Sequence, residues 1–272
     1  MAVLYDANGV KLSVDLSGGG AGPGSIVVMS FNPQRWEGLN SDITLMRKII
    51  DTYKPDIIGL QEYREKIAGS DVYSAVFADY PYHYYASAIY NPVGIVSKYP
   101  LSSVSTVLYA SQGSEKRGYT KAYITVNQQK ICWLNTHLEI LPTTEDSREI
   151  RTAQARELIG VMKAERYAIC TGDFNAGDCH DKTDPDYIEV IKPFLQEGYH
   201  SANSSDQHGF LATFYDGTTV NNFTRYACID EVITTSNIDI TAVDVDKQKS
   251  TANKNGLFLD HLPIVAHCRI NG

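Results

Sequence analysis

The sequence predicts an α/β protein in which two mixed β-sheets pack face to face, with helices outside. Three observations carry this reading. Between Ile26 and Leu60 an apolar run, an amphipathic helix and a second apolar run follow one another as a strand–helix–strand unit. The middle of the chain breaks into short β-type runs separated by turn dipeptides, which implies antiparallel meanders. A second amphipathic stretch, Ile150 to Met162, then leads into a further apolar run.

Taken in order, residues 3–14 read as a hairpin, with Val3-Leu4-Tyr5 and Val10-Lys11-Leu12 flanking the tight-turn dipeptide Asn8-Gly9. The run Gly18-Gly19-Gly20-Ala21-Gly22-Pro23-Gly24 offers almost no side chains to pack and reads as a joint. Residues 1–24 are therefore expected to form an arm and linker, and residues 25–272 a single domain. Ile26 to Met29 suits a buried strand ending at Asn32. Asn40-Ser41-Asp42 supplies N-cap residues for a helix carrying Ile43, Met46, Ile49, Ile50 and Tyr53, and Lys54-Pro55 closes it. Asp56 to Leu60 is the next strand and delivers Glu62. Strands follow at 82–87, 93–97, 101–109, 119–126 and 131–138, then the second helix and a strand at 167–171. A helix near 187–195 and strands at 229–235, 238–245 and 263–270 complete the chain.

Composition narrows the class. Of 272 residues, 43% are hydrophobic and 21% charged, ordinary values for a chain with a substantial core. Lys and Arg number 24 against 32 Asp and Glu, a net charge of −8 that argues against broad, salt-driven nucleic-acid binding. The five cysteines form no Cys-x-x-Cys pair, so neither a disulfide framework nor a structural zinc site is expected. Three of them lie in apolar runs and read as buried thiols. No segment has the ~18 consecutive apolar residues of a membrane span and no secretory signal is visible, so a reducing cytoplasm is the expectation; the sequence does not fix the oligomeric state, and a monomer is favoured.

Chemistry gathers at strand ends. Met29-Ser30-Phe31-Asn32, Leu60-Gln61-Glu62, Asn135-Thr136-His137-Leu138-Glu139, Gly172-Asp173-Phe174-Asn175 and Leu259-Asp260-His261-Leu262-Pro263 each place an acid, amide or imidazole after an apolar run. Strand ends are where a fold brings distant residues around one ligand. Asp173 can orient or deprotonate a water while Asn175 donates to a phosphoryl oxygen, with Gly172 allowing the backbone to bend between strand and ligand. Glu62 and Asp260 offer hard oxygen ligands and Asn32 an amide carbonyl, a set that suits Mg²⁺ or Mn²⁺. His137 and His261 are candidate donors to phosphate, and Asp230 is a carboxylate able to orient one imidazole. Any one of these turns alone is common in structural roles.

The ordered set is far more specific. Asn32, Gln61-Glu62, Asn135-Thr136-His137-Leu138, Gly172-Asp173-Phe174-Asn175, Ile229-Asp230 and Asp260-His261-Leu262-Pro263 resemble the endonuclease/exonuclease/phosphatase family, whose members include DNase I-like nucleases. The resemblance runs from about Ser25 to Ile270, and Arg151-x-x-Gln154 fits it. It implies a four-layer DNase I-like α/β sandwich with a divalent-metal site at one end. By motif it makes Glu62 the principal metal ligand with Asn32 and Asp260 nearby, and Asp173 the water activator. Asn175, His137 and His261 would hold the phosphate, Asp230 would orient His261, and Arg117 matches an Arg near the phosphate. Two positions depart from the family pattern. Pro33-Gln34 stands where many members carry a further acid or amide ligand, and Leu259 stands where many have Ser.

The resemblance implies a hydrolase of phosphate esters but admits DNA, RNA, protein-linked nucleotides, phosphoinositides and sphingomyelin as substrates. A nuclease is the first expectation. A phosphatase of a lipid or small-molecule phosphate is the alternative, and an inactive binding module a third reading that the presence of Glu62, Asp173, Asp260 and His261 disfavours.

Overall fold

Ser25–Phe31 (β1) runs parallel to Ile57–Leu60 (β2), and the helix Asn40–Tyr53 (α1) makes the crossover between them. The chain then enters a run of antiparallel strands, Tyr82–Ala86 (β3), Val93–Ser97 (β4), Ser102–Leu108 (β5), Gly118–Val126 (β6) and Gln129–His137 (β7). Helix Glu145–Lys163 (α2) connects β7 to a second parallel neighbour, Ala168–Asp173 (β8). His200–Ser201 (β9), Asp230–Thr234 (β10), Ile238–Val245 (β11) and Ile264–Ile270 (β12) complete the sheets. This computed structural model describes residues 3–5, 11–13, 24–33, 40–63, 66–67, 70–140, 145–176, 182–204, 207–216, 225–245 and 261–272.

Two six-stranded mixed sheets result, ordered β11-β12-β1-β2-β4-β3 and β9-β10-β8-β7-β6-β5. Each contains one parallel pair, bridged by a helix as a parallel connection requires. Side-chain alternation along the central strands then sorts apolar residues into layers. Val28, Ile57, Trp133 and Ile169 belong to the cluster between the sheets. Their sequence neighbours Met29 and Ile58 pack with Met46, Ile49 and Ile50 of α1. Cys132, Leu134 and Cys170 pack with Leu158 and Met162 of α2. The expected order of helix, sheet, sheet and helix is what these clusters describe.

A polar bridge crosses the inter-sheet layer just beneath the strand ends. Asn135 Nδ2 donates to the carbonyls of Leu60 (2.9 Å) and Gly94 (2.8 Å) in the opposite sheet. Its Oδ1 accepts from Gln61 Nε2 at 2.8 Å and Thr171 Oγ1 at 3.0 Å. Backbones approach closely here: a Cβ on Gly59 would stand 2.1 Å from Thr171 Oγ1.

Several expectations change. The 187–195 helix is a π-helix, Tyr187–Ile191, running into a short α-helix, Lys192–Gln196. Gly172 lies inside β8 and supplies space rather than a bend, since a Cβ there would meet Thr136 Cγ2 at 2.6 Å. Cys132, Cys170 and Cys268 are buried free thiols as expected, but Cys228 is disulfide-bonded. Spacing rules identify disulfide frameworks and Cys-x-x-Cys sites, not a single bond closed by tertiary structure. The cysteine argument for a reducing compartment therefore falls away. The terminal hairpin pairs Val3–Tyr5 with Lys11–Ser13, while its turn and the glycine-rich run lie outside the described residues. No helix among the described residues is long and apolar enough to cross a membrane.

Candidate active site

Register in the second sheet assembles half of the site. Asp173 at the end of β8 is the lateral neighbour of His137 on β7 and of Asp230 on β10. Gly118 pairs with His137, which sets Arg117, the residue before β6, beside them. Four adjacent strands thus present Arg117, His137, Asp173 and Asp230 in one row. The first sheet supplies the facing half: Asn32 follows β1, Glu62 follows β2 by two residues, and His261 precedes β12.

The two halves meet over Asp173. Asn32 Nδ2 donates to Asp173 Oδ2 at 3.0 Å and lies 3.4 Å from His261 Nε2. His261 Nδ1 bonds Asp230 Oδ2 at 2.8 Å, turning Nε2 toward Asp173 at 3.7 Å. His137 Nε2 stands 3.5 Å from Asp173 Oδ2. The expected Asp230–His261 pairing is present, and it sets the Nδ1–H tautomer in the neutral ring. Phe214 closes over that ring, with centroids 5.0 Å apart.

Asp173 is 1% exposed, and burial pushes its carboxyl up to about 7, with Asp230 adding to the push. His261, the Asn175 N–H and the Asn32 amide oppose that shift. Burial holds His137 well below the usual imidazole range, and Arg117 and His261 lower it further. His137 is therefore a neutral ring, whose Nδ1 has no hydrogen-bond partner. Arg117 is fully buried, with Nη2 paired to Glu115 and both Nε and Nη1 unpartnered. Such groups are costly to bury and suit an anion arriving from outside.

Asn175 contributes chiefly through its backbone. Its φ of 49° turns its N–H onto Asp173 Oδ1 at 2.9 Å, while Nδ2 donates to Leu138 O at 3.3 Å. Glu62 also has a left-handed φ, 48°, a conformation that costs a non-glycine residue energy and clusters at functional sites. Its partly exposed carboxylate has no hydrogen bond or ion pair among the described residues. Asp260 lies outside the described residues.

The donor set fits a divalent cation. Ligand atoms of Asp173, Asp230 and His261 all fall within 4.8 Å of one another, and Asp230 Oδ1 has no partner. Glu62 adds an unpaired hard-oxygen donor on the same end of the sheets.

A sequence model of the Endonuclease/Exonuclease/phosphatase family matches residues 35–248. The chain belongs to this family. No curated protein matches the sequence. Solved structures resemble this endonuclease/exonuclease/phosphatase chain in fold at low identity. The endonuclease/exonuclease/phosphatase from Beutenbergia cavernae is 18% identical with a TM-score of 0.69, over 92% of this chain and 72% of that one. TDP2 from D. rerio, complexed with single strand DNA product, is 16% identical with a TM-score of 0.70, over 90% and 99%. Sphingomyelinase C from Streptomyces griseocarneus is 14% identical with a TM-score of 0.62, over 89% and 99%.

Several residues around this endonuclease/exonuclease/phosphatase site were not legible as such in the sequence. Gln112 accepts from Arg117 N–H at 2.7 Å and donates to the carbonyls of Tyr109 (2.6 Å) and Arg117 (2.9 Å). It ties the 109–117 loop into a closed ring that carries Arg117. Glu139, 3% exposed, packs its carboxyl where a Gly113 Cβ would stand, 2.5 Å from its Cδ. The signal for Asn135 was present: an amide inside an otherwise apolar strand must find partners, and it finds them in the other sheet.

Proposed function

We propose that the chain is a divalent-metal-dependent phosphodiester hydrolase acting on nucleic acid, with Asp173 as the base that activates the attacking water. The observation that carries this reading is the enclosure of Asp173 by His137, His261, Asn32 and Asp230 at one end of both sheets. A carboxyl raised to about 7 is matched to accepting a proton near neutral pH.

In the proposed reaction, water attacks phosphorus as its proton passes to Asp173, and the bond to the leaving oxygen breaks on the opposite side. Asp230 fixes the His261 ring so that Nε2 faces the reacting group. Neutral His137 and the unpartnered nitrogens of Arg117 are donors to the phosphoryl oxygens, and Asn175 braces Asp173 from its backbone. Glu62, Asn32 and Asp260 are the residues proposed to hold Mg²⁺ or Mn²⁺ beside the close-set Asp173, Asp230 and His261, which keep their roles in the reaction; the cation would neutralise charge on the phosphoryl oxygens and leaving group. The fold shared with a TDP2 described with a single-stranded DNA product supports nucleic acid as substrate. The likeness to a sphingomyelinase makes lipid phosphodiesters the comparison arm.

The test is incubation of the purified protein with end-labelled single-stranded and duplex DNA, RNA and sphingomyelin, in Mg²⁺, Mn²⁺ or EDTA. Asp173→Asn runs alongside. Metal-dependent cleavage of nucleic acid, reduced about 10²- to 10⁴-fold in the variant, is the expected result. Wild-type turnover by Asp173→Asn would overturn the assignment of the base, and cleavage of sphingomyelin alone would overturn the substrate.

A further inference from the structure

Beside Arg117 a cleft of about 700 Å³ opens between the β3–β4 turn and the 109–117 loop. Its lining includes Ser87, Ile89, Tyr90, Ser114, Glu115 and Lys116. One interaction joins it to the candidate site and another ties its walls. Glu115 lines the cleft and pairs with Arg117 Nη2, and Tyr90 N–H donates to Lys116 O at 2.8 Å, tying the two walls together.

The walls are built rather than loose. Ile89 is 2% exposed and packs with Ala86 and Val93 under the first turn. The second wall is the loop closed by Gln112 and seated on the Glu139 carboxyl. On this rigid base stands Tyr90, 46% exposed and among the most exposed large hydrophobic residues described. Lys116 is exposed, and its ammonium has no hydrogen bond or ion pair among the described residues. An exposed cation and an exposed aromatic residue lining one cleft are notable on a chain of net charge −8. Charge and shape together select an occupant: the phenol ring offers a stacking surface to an unpaired base, and the ammonium a partner for the phosphate next along the strand. Hydroxyls of Ser87 and Ser114 add polar contacts that a lipid tail has no use for.

We propose that this cleft is a nucleotide subsite, which holds one unpaired base of single-stranded nucleic acid on Tyr90 and the adjacent phosphate on Lys116. It thereby fixes the register of the strand whose next phosphate reaches Arg117 and Asp173. The inference rests on the phosphodiesterase reading and names the substrate class of that same site.

Tyr90→Ala and Lys116→Gln test it with two substrates and one binding measurement. Bis(p-nitrophenyl) phosphate is too small to span the cleft, so its turnover should be unchanged in both variants. For a fluorescein-labelled oligothymidylate, Tyr90→Ala should raise KM about tenfold or more. Lys116→Gln should raise it less and flatten its dependence on salt by about one phosphate contact. Unchanged oligonucleotide KM in both variants, with small-diester turnover intact, overturns the subsite. Equal damage to duplex and single-stranded substrates overturns the unpaired base. Fluorescence anisotropy of the same oligonucleotide in EDTA separates this inference from the catalytic reading. Binding weakened by Tyr90→Ala in a protein that hydrolyses neither substrate keeps the subsite and sinks the enzyme. Absence of wild-type binding in low salt, or loss of sphingomyelin-vesicle binding alone in Tyr90→Ala, overturns the subsite.

Discussion

Glu231 follows Asp230 on β10 but points into a different environment, where Ser201 Oγ (2.8 Å) and Ser204 N–H (3.3 Å) donate to it. Burial pushes its carboxyl from 4.5 up to about 7, against the pull of those hydrogen bonds. Between those two values the folded protein holds a proton that the unfolded chain has lost. The associated stability is therefore present below pH 4.5 and lost as pH rises through 7, and Asp173 acts with the same sign. The full contribution of Glu231 is about 3 kcal/mol. Denaturant unfolding at pH 5 and pH 8 in EDTA should show wild type weaker at the higher pH, and Glu231→Gln should shrink that difference. An undiminished difference in the variant would mean other groups carry it. At this scale the sequence identified residue types at strand ends well, because a polar residue after an apolar run is visible as such. It did not reveal that Asn175 serves Asp173 through its N–H, which depends on a backbone φ of 49°. Nor did it reveal the bracing of Arg117 by Gln112, five residues away across a loop.

The parallel pairs β1–β2 and β7–β8 are the elements that matter most, since their ends hold Asn32, Glu62, His137 and Asp173. Both were legible, because a buried strand is an apolar run and the helix between parallel strands has its own period. The two-residue strands His200–Ser201 (β9), Lys66–Ile67 and Ser70–Asp71 were not, since so few residues carry no periodicity. The π-helix at Tyr187–Ile191 likewise leaves the 3.6-residue period unchanged enough to read as α. Within the apolar layer that joins the two sheets one polar bridge is local: Asn135, Gln61 and Thr171 close over Gly59. Gly59→Ala would drive its Cβ into Thr171 Oγ1, and neither backbone can retreat without lengthening the Asn135 bonds. We expect a loss of about 1–3 kcal/mol in chemical denaturation, together with reduced turnover, since Asp173 and Glu62 lie just beyond the wedge. Gly198→Ala, where no atom lies within 4 Å of the added Cβ, is a control for crowding, though its φ of 77° adds backbone strain of its own.

At the scale of the whole molecule, one disulfide and three buried thiols make a countable prediction. Among the described cysteines three are free and Cys228 is disulfide-bonded, so reductant should raise the number of thiols titrated in the denatured protein to the five that the sequence holds. Five thiols without reductant would remove the disulfide at Cys228. Under native conditions the three free thiols should react slowly, because burial pushes Cys132 and Cys268 up to about 12 and Cys170 higher still. The architecture as a whole was legible as two mixed sheets with outer helices, and the strand ends named the residues of the candidate site. Which strands neighbour which was not, because adjacency such as β12 beside β1 joins segments more than two hundred residues apart. That adjacency has a consequence for synthesis. During translation β1 is among the first of the sheet strands to emerge, yet its neighbour β12, with His261 just ahead of it, is the last. Until then the growing chain carries an apolar strand with one open edge and an incomplete set of the groups proposed to handle phosphate. A ribosome paused anywhere before residue 261 therefore holds a chain that cannot yet assemble the proposed site and is prone to pair with its neighbours.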